Sequence, residues 1–294
     1  MVAGGYIALR KVVMRSTAAR PDLSRLWLRL RLAPWLSVLI IVAIWIAATA
    51  TGSVSTQFLP SPTEVVDAAV ELAEADLLWT SVSVTIVRGL LGAAIGIAAG
   101  ILLGVLAGFS RWAEYGLDKP IQIVRAVPFT AMLPLLILWV GIGEETKVLL
   151  VVLATAVPVY FNTFGGIRNV DRRLVEAGKV YGLTGYQLST RVLLRGALPS
   201  VFVGIRYALG ITWAVLVLAE SLNAVSGIGF LLTNARQYGQ SDVVILCVVL
   251  YAALGLITDA FVELIERRVF RWRQGPGNES RRTNRVRVTR SKED

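Results

Sequence analysis

Few side chains in this sequence are placed to do chemistry, and those few favour holding a solute over breaking a bond. Trp213, Leu216 and Glu220 recur at helical spacing on one face of an apolar run, with Thr212 beside them. Asn162 and Thr163 close another such run. Polar groups inside hydrocarbon face protein or water, because a charged side chain at mid-bilayer costs about 2.5–3.5 kcal/mol or more. These six residues are therefore candidates to line or gate a polar route. Glu220 falls near the end of its run, where the penalty shrinks. It reads as a gate carboxylate near Arg236 or as a solvated cap on the next turn. Arg88 and Arg206 also lie near run ends, where snorkelling to a boundary accounts for them.

Bond-breaking chemistry finds little support. Histidine is absent and Cys247, the single cysteine, lies inside an apolar run, so no metal or disulfide framework and no catalytic triad is expected. Serine, glutamate and aspartate are scattered without converging. No G-x-x-x-x-G-K-[ST] phosphate loop occurs, so this chain does not cradle ATP by that mechanism.

The elements that must position these residues are membrane spans. Of 294 residues, 55% are hydrophobic, and the mean hydropathy is +0.64, beyond the range of soluble domains. Six apolar runs, at 35–51, 84–109, 121–142, 147–165, 201–222 and 243–264, come near the ~20 residues a helix needs to cross a bilayer. The formal charge of +10 is concentrated at 1–34, 110–126, 166–200 and 266–294, while the alternate loops are nearly bare of Lys and Arg. By the positive-inside rule, both termini and the 166–200 loop face the cytoplasm. Without aromatic-interleaved basic surfaces, the charge points to anionic lipid and not to nucleic acid. The organisation expected is a basic cytoplasmic segment at 1–34, a transmembrane domain at 35–273 and a disordered basic tail at 274–294. The leader is too long for a cleaved signal and reads as an uncleaved anchor, with Met14 as an alternative start.

Between the spans, Ser61-Pro62-Thr63-Glu64 has the form of a helix start. The external helix that follows is expected to lie on the outer boundary through Val65, Val66, Ala69, Val70, Ala73, Leu77 and Leu78. Gly92, Gly96, Gly100, Gly104 and Gly108 cut a groove down one helix face, suited to close packing of another helix. Ser110-Arg111 and Asp118-Lys119-Pro120 are expected to form an inner turn, with Pro120 opening the third span. Pro128, Pro134 and Pro158 are expected to interrupt or kink the third and fourth spans.

The polar stretch from Glu176 to Pro199 stands out between two spans. Ala177 and Gly178 allow another protein's surface to approach the backbone, and Gly182 permits the positive φ of a sharp helix end. Leu183-Thr184 opens a second helix, amphipathic through Leu188, Val192 and Leu193, and Pro199 is expected to reset the backbone for the next span. The stretch reads as a docking lever or as an ordinary cytoplasmic hairpin.

Several phrases together resemble one family: FLPSP at 58–62, PLLILWVGIGE at 134–144, NTFGGIRNVD at 162–171, GL at 182–183, GALPS at 196–200, GIRYALG at 204–210, AE at 219–220 and SGIG at 226–229. They are similar to permease subunits of binding-protein-dependent ABC importers, in the aliphatic sulfonate, taurine and nitrate branch. The likeness runs from about residue 35 to 273. It implies an all-α membrane protein with the type I importer fold, about six spans and a coupling-helix loop near 171–195. It also implies a bacterial inner-membrane location, a pair of permeases of which a homodimer is the form expected, two separate ATPase subunits holding ATP and Mg2+, and an extracytoplasmic solute-binding protein. Glu176, Ala177, Gly178, Gly182 and Pro199 then become ATPase-coupling residues. Gly178 departs from the family's second alanine, and Arg195 stands where proline is usual.

Two other classes compete. A secondary transporter would show internal symmetry and ion sites at interrupted helices; the prolines fit that weakly and no repeat is found. An intramembrane enzyme would need the convergent groups that are missing here.

Overall fold

The structure is a computed structural model that describes residues 23–270, including the side chains of 36–222 and 224–270. The expectations for the start of the basic leader and for the polar tail lie outside these residues. The chain divides into two compact units, Met1–Pro62 and Thr63–Asp294.

In the first unit, α1 (Leu23–Ala50) carries the first apolar run. The Trp45 indole donates to the Pro60 carbonyl at 3.0 Å and so ties the segment after the helix back onto it.

The second unit is a bundle built around α3 (Leu77–Phe109), α6 (Glu144–Arg168) and α9 (Leu194–Asn223). It begins with α2 (Pro62–Glu74). Ala68 of α2 packs with Ile228, Leu231, Val243 and Cys247, while Val66 and Val70 stay exposed. The helix thus turns a narrower face inward than the expected stripe. After it, Asp76 turns the chain in a left-handed conformation at φ 57° and leads directly into α3. That helix therefore starts earlier than the apolar run alone indicates. Its 33 residues reach about 50 Å, well beyond ~30 Å of hydrocarbon.

The five glycines of α3 meet α6 along their whole length. A methyl group added at Gly92 would come within 2.6 Å of Val151 Cβ, at Gly100 within 2.8 Å of Val159 Cβ and 2.5 Å of the Ala156 carbonyl, at Gly104 within 2.7 Å of Thr163 Cβ and at Gly108 within 2.8 Å of Ile167 Cδ1. At Gly96 it would strike Thr155. The meeting points advance by four residues on both helices at each step, so α3 and α6 run parallel and nearly backbone to backbone.

Parallel α3 and α6 require residues 110–143 to return the chain from one end of the bundle to the other. The return differs from the single third span expected. Ser110 accepts the Ala113 N–H and starts α4 (Arg111–Ala126), so the expected inner turn is helical and Pro120 lies inside it. The chain then bends by 108° into α5 (Phe129–Val140). The bend falls at Val127-Pro128, where proline forces the preceding residue out of the helical region; Val127 has φ −80° and ψ 125°. Pro134 and Pro158 sit within uninterrupted helices.

α9 runs antiparallel to α6, placing Gly166 against Ala197 and Ser200, and Gly204 against Asn162. A core of Leu133, Leu136, Leu150, Val151, Ala154, Trp213, Leu216 and Ala219 joins α5, α6 and α9. α10 (Ile228–Tyr238) and α11 (Ser241–Val269) complete the unit. Among the described residues, four helices are long and apolar enough to cross a membrane, the bent pair makes a fifth, and the apolar Leu36–Ala50 stretch of α1 is where the first crossing is expected. The outward faces of α3 and α11 expose Leu90, Leu91, Ile95, Leu102, Leu256, Ile257 and Phe261, as lipid-facing helices do.

Candidate functional site

Two sites lie at opposite ends of α9. At its start is an elbow. Asp171 accepts the Arg173 N–H at 2.9 Å and caps α7 (Arg172–Val180). The far end of α7 is closed by Gly182 at φ 74°, with Gly182 N–H donating to the Lys179 carbonyl at 2.9 Å and Leu183 N–H to the Gly178 carbonyl at 3.0 Å. This pair of bonds is the Schellman closure, which needs a residue tolerant of positive φ at its turn.

Thr184 and Gln187 then cap each other's backbone, at 3.4 and 3.1 Å, and open α8 (Gly185–Leu188). The chain continues through a π-turn (Ser189–Leu193) directly into α9. Pro199 lies within α9, so the expected reset of the backbone does not occur there; the helix runs unbroken from Gly185 to Leu222. Gly178 also differs from expectation. It is buried, and a Cβ on it would lie 2.8 Å from Leu188 Cδ1, so its smallness lets α7 close onto the elbow's own second helix. Glu176 and Ala177 are exposed, beside exposed Leu174, Val180, Tyr181 and Tyr186. They form an apolar and aromatic surface with a carboxylate in it.

At the other end, Glu220 is 1% exposed and Arg88 4%. Arg88 Nη1 donates to Glu220 Oε1 at 2.9 Å and to the Ser226 carbonyl at 2.7 Å. Its Nη2 donates to Glu144 Oε1 at 2.6 Å and its Nε to Glu144 Oε2. Lys147, also buried, donates to Glu144 at 2.7 Å. Glu220 further accepts from Thr85 Oγ1 at 2.9 Å, Gly229 N–H at 2.9 Å and Tyr251 OH at 3.0 Å. Two cations and two carboxylates thus sit together, with Arg88, Lys147 and Glu220 buried and the Glu144 side chain exposed; pairing and hydrogen bonding are the condition under which the buried charges are tolerated. The cluster joins α3, α6, α9, α10 and α11 and the turn before α10. Gly227, at φ 117°, lies so close that a Cβ would come within 2.6 Å of the Glu220 carboxylate.

Two expectations are corrected here. Arg88 does not snorkel but is paired inside the protein, and Glu220 faces Arg88 instead of the exposed Arg236. Arg206, by contrast, is exposed, and its Nε and Nη2 donate to the two oxygens of the likewise exposed Asp259 at 2.7 and 3.1 Å.

The remaining route candidates are divided by the fold. Trp213 packs on Gly89 and donates to Thr258 Oγ1 at 3.2 Å, Leu216 is fully buried, and Thr212 donates to the Ala208 carbonyl at 3.0 Å. Thr163 is buried against Gly104. All four are interior packing in the single chain. Asn162, the remaining one of the six, lines a cavity. This space of about 450 Å³ also has Arg125, Phe129, Phe161, Tyr207 and Ile211 in its wall. The Arg125 guanidinium lies 5.2 Å from the centre of the Phe161 ring. Sequence reading missed Arg125, whose only signal is its position just before the Val127-Pro128 break.

The fold defines a class: an all-α membrane protein with a helical elbow at one end of α9 and a polar cluster at the other. It matches the structure of an amino acid ABC transporter chain with a TM-score of 0.56 at 17% identity, covering 68% of this chain and 97% of that one. Residues 96–271 match the family described as binding-protein-dependent transport system inner membrane component, and the chain belongs to that family. It is 50% identical over 246 residues to the putative aliphatic sulfonates transport permease protein SsuC of Escherichia coli, spanning 84% of this chain and 93% of that one. It is 30% identical to the taurine transport system permease protein TauC of the same organism, spanning 79% and 86%. The chain is therefore a multi-pass inner-membrane permease of an ABC importer and not an enzyme; it works with an ATPase and a solute-binding protein.

Proposed function

We propose that two copies of this chain pair in the membrane, with both termini in the cytoplasm, and carry an aliphatic sulfonate or a taurine-like anion inward. ATP and Mg2+ bind on the partner ATPase subunits, which grip the elbow through Glu176, Ala177, Tyr181 and their exposed neighbours. The Arg88–Glu220 cluster seals the outer end, and anionic lipid meets Arg267 and Arg268 at the inner boundary. The identities to the SsuC and TauC permeases support the cargo class, and the distribution of Lys and Arg supports the orientation.

One observation carries this reading. The elbow passes without a break into α9, whose far end holds Glu220, so a rigid-body push on the elbow reaches the outer seal through a single helix. The test is Gly182→Asp in the complete complex. A side chain at φ 74° strains the closure of α7. ATPase subunits are expected to be lost on purification, and uptake of ethanesulfonate into proteoliposomes is expected to fall with them. Retention of the subunits with full hydrolysis stimulated by the loaded binding protein would overturn the docking assignment.

A further inference from the structure

We propose that the cavity between the α4–α5 bend, α6 and α9 is the station at which the permease itself holds the sulfonate head group, with Arg125 as its cation. The proposal rests on the cargo class given above. A sulfonate keeps its negative charge at any physiological pH and offers three acceptor oxygens, so it needs a permanent cation with several donors. Arg125 is such a group: its guanidinium is always charged and carries five N–H donors in a fixed plane.

Arg88, Arg168, Arg206 and Arg267 are each ion-paired with a carboxylate, whereas Arg125, among the described residues, has none. Its guanidinium carbon lies 5.2 Å from the centre of the Phe161 ring, a cation–π contact that leaves its N–H donors for a ligand. The Asn162 amide uses one N–H on the Pro158 carbonyl, at 2.8 Å, and keeps a second. Tyr207 stands on the same wall.

The rest of the wall is apolar, with Phe129 and Ile211 facing the space. A charged corner beside an apolar wall fits an alkyl chain ending in a sulfonate and does not fit an inorganic anion equally well. The volume of about 450 Å³ falls in the usual range of small-molecule sites. A single exposed cation also holds its ligand loosely, which suits a station that must release what it takes.

The experiment uses the complex of permease and ATPase, purified without nucleotide or binding protein, and follows ethanesulfonate by ligand-observed NMR. Saturable binding is expected in the wild type. Arg125→Gln is expected to weaken it at least about tenfold, the value of one charge-assisted hydrogen bond, and Arg125→Lys to restore part of it. Uptake in proteoliposomes should fall in the same order. If Arg125→Gln does not assemble with its ATPase subunits, Asn162→Ala with Tyr207→Phe is expected to give the same loss of binding.

Wild-type binding or uptake unaffected by Arg125→Gln would overturn the cavity assignment. A loss seen only in vesicles containing phosphatidylglycerol would also overturn it, by making Arg125 a lipid contact. Failure of the wild-type complex to move any alkanesulfonate would instead overturn the cargo class.

Discussion

Arg88 and Glu220 meet at 2.9 Å across 132 positions of sequence, one in the first half of α3 and the other near the end of α9. Neither is exposed by more than a few per cent, and Glu220 would be left as a lone buried carboxylate without Arg88, whereas Arg88 would keep its pairing with Glu144. Arg88→Ala is expected to cost about 3–5 kcal/mol, because it strands the buried Glu220 carboxylate, and Glu220→Ala less, because Arg88 keeps Glu144. Replacing both with Met is expected to cost less than the sum of the single changes. Thermal unfolding of the detergent-solubilised complex, run as a double-mutant cycle, measures this; additive losses would show that the pair is not coupled.

The contact between α3 and α6 makes a sharper contrast. Gly100→Val would drive a branched side chain into the Ala156 carbonyl, and overpacking of this kind costs about 1–3 kcal/mol or more. Gly116→Ala, in α4, meets open space and is expected to be neutral or slightly stabilising. Melting temperatures and the yield of assembled complex should separate the two; equal tolerance would contradict the close packing.

Continuity from the elbow into α9 predicts a separation of docking from transport. Two glycines inserted between Leu193 and Leu194 leave α7, the Gly182 closure and the exposed Glu176 surface as they are, but break the path into α9. ATPase subunits are expected to stay bound while uptake falls by at least about tenfold, the equivalent of roughly 1.4 kcal/mol of lost coupling. Transport at the wild-type rate would show that force travels by another route.

Much of the fold is legible where the chemistry is local. Glycine at every fourth position has one use along an apolar helix, and the structure puts a helix there. Gly182 and the Thr184–Gln187 pair are similarly readable, since caps depend on residues a few positions apart. Arg88 was not readable in this way. Nothing near it in sequence reveals that Glu144 and Glu220 close around it, so position along the span pointed to the boundary. Gly178 failed for a related reason: smallness signals a close approach without saying whether the visitor is another protein or Leu188 of the same chain. The prolines show a third limit. Pro120, Pro128 and Pro134 lie within one stretch, and only Pro128 breaks the helix; the restriction it places on Val127 is visible in sequence, but Pro120 and Pro134 are accommodated within their helices. In the candidate site, Asn162 was found and Arg125 was not, because the bend that brings Arg125 over Phe161 replaces the straight crossing the hydropathy implies.

The glycine seam has a mechanical consequence. Where the glycine face of α3 lies directly on the β-branched side chains and carbonyls of α6, the glycines have no rotamers to exchange, and turning either helix about its axis drives atoms into its neighbour. α3 and α6 therefore behave as a single beam. Whatever rearrangement opens the protein to one face of the membrane and then the other is confined to seams that side chains can renegotiate, and the long flank of α9 is the nearest of these.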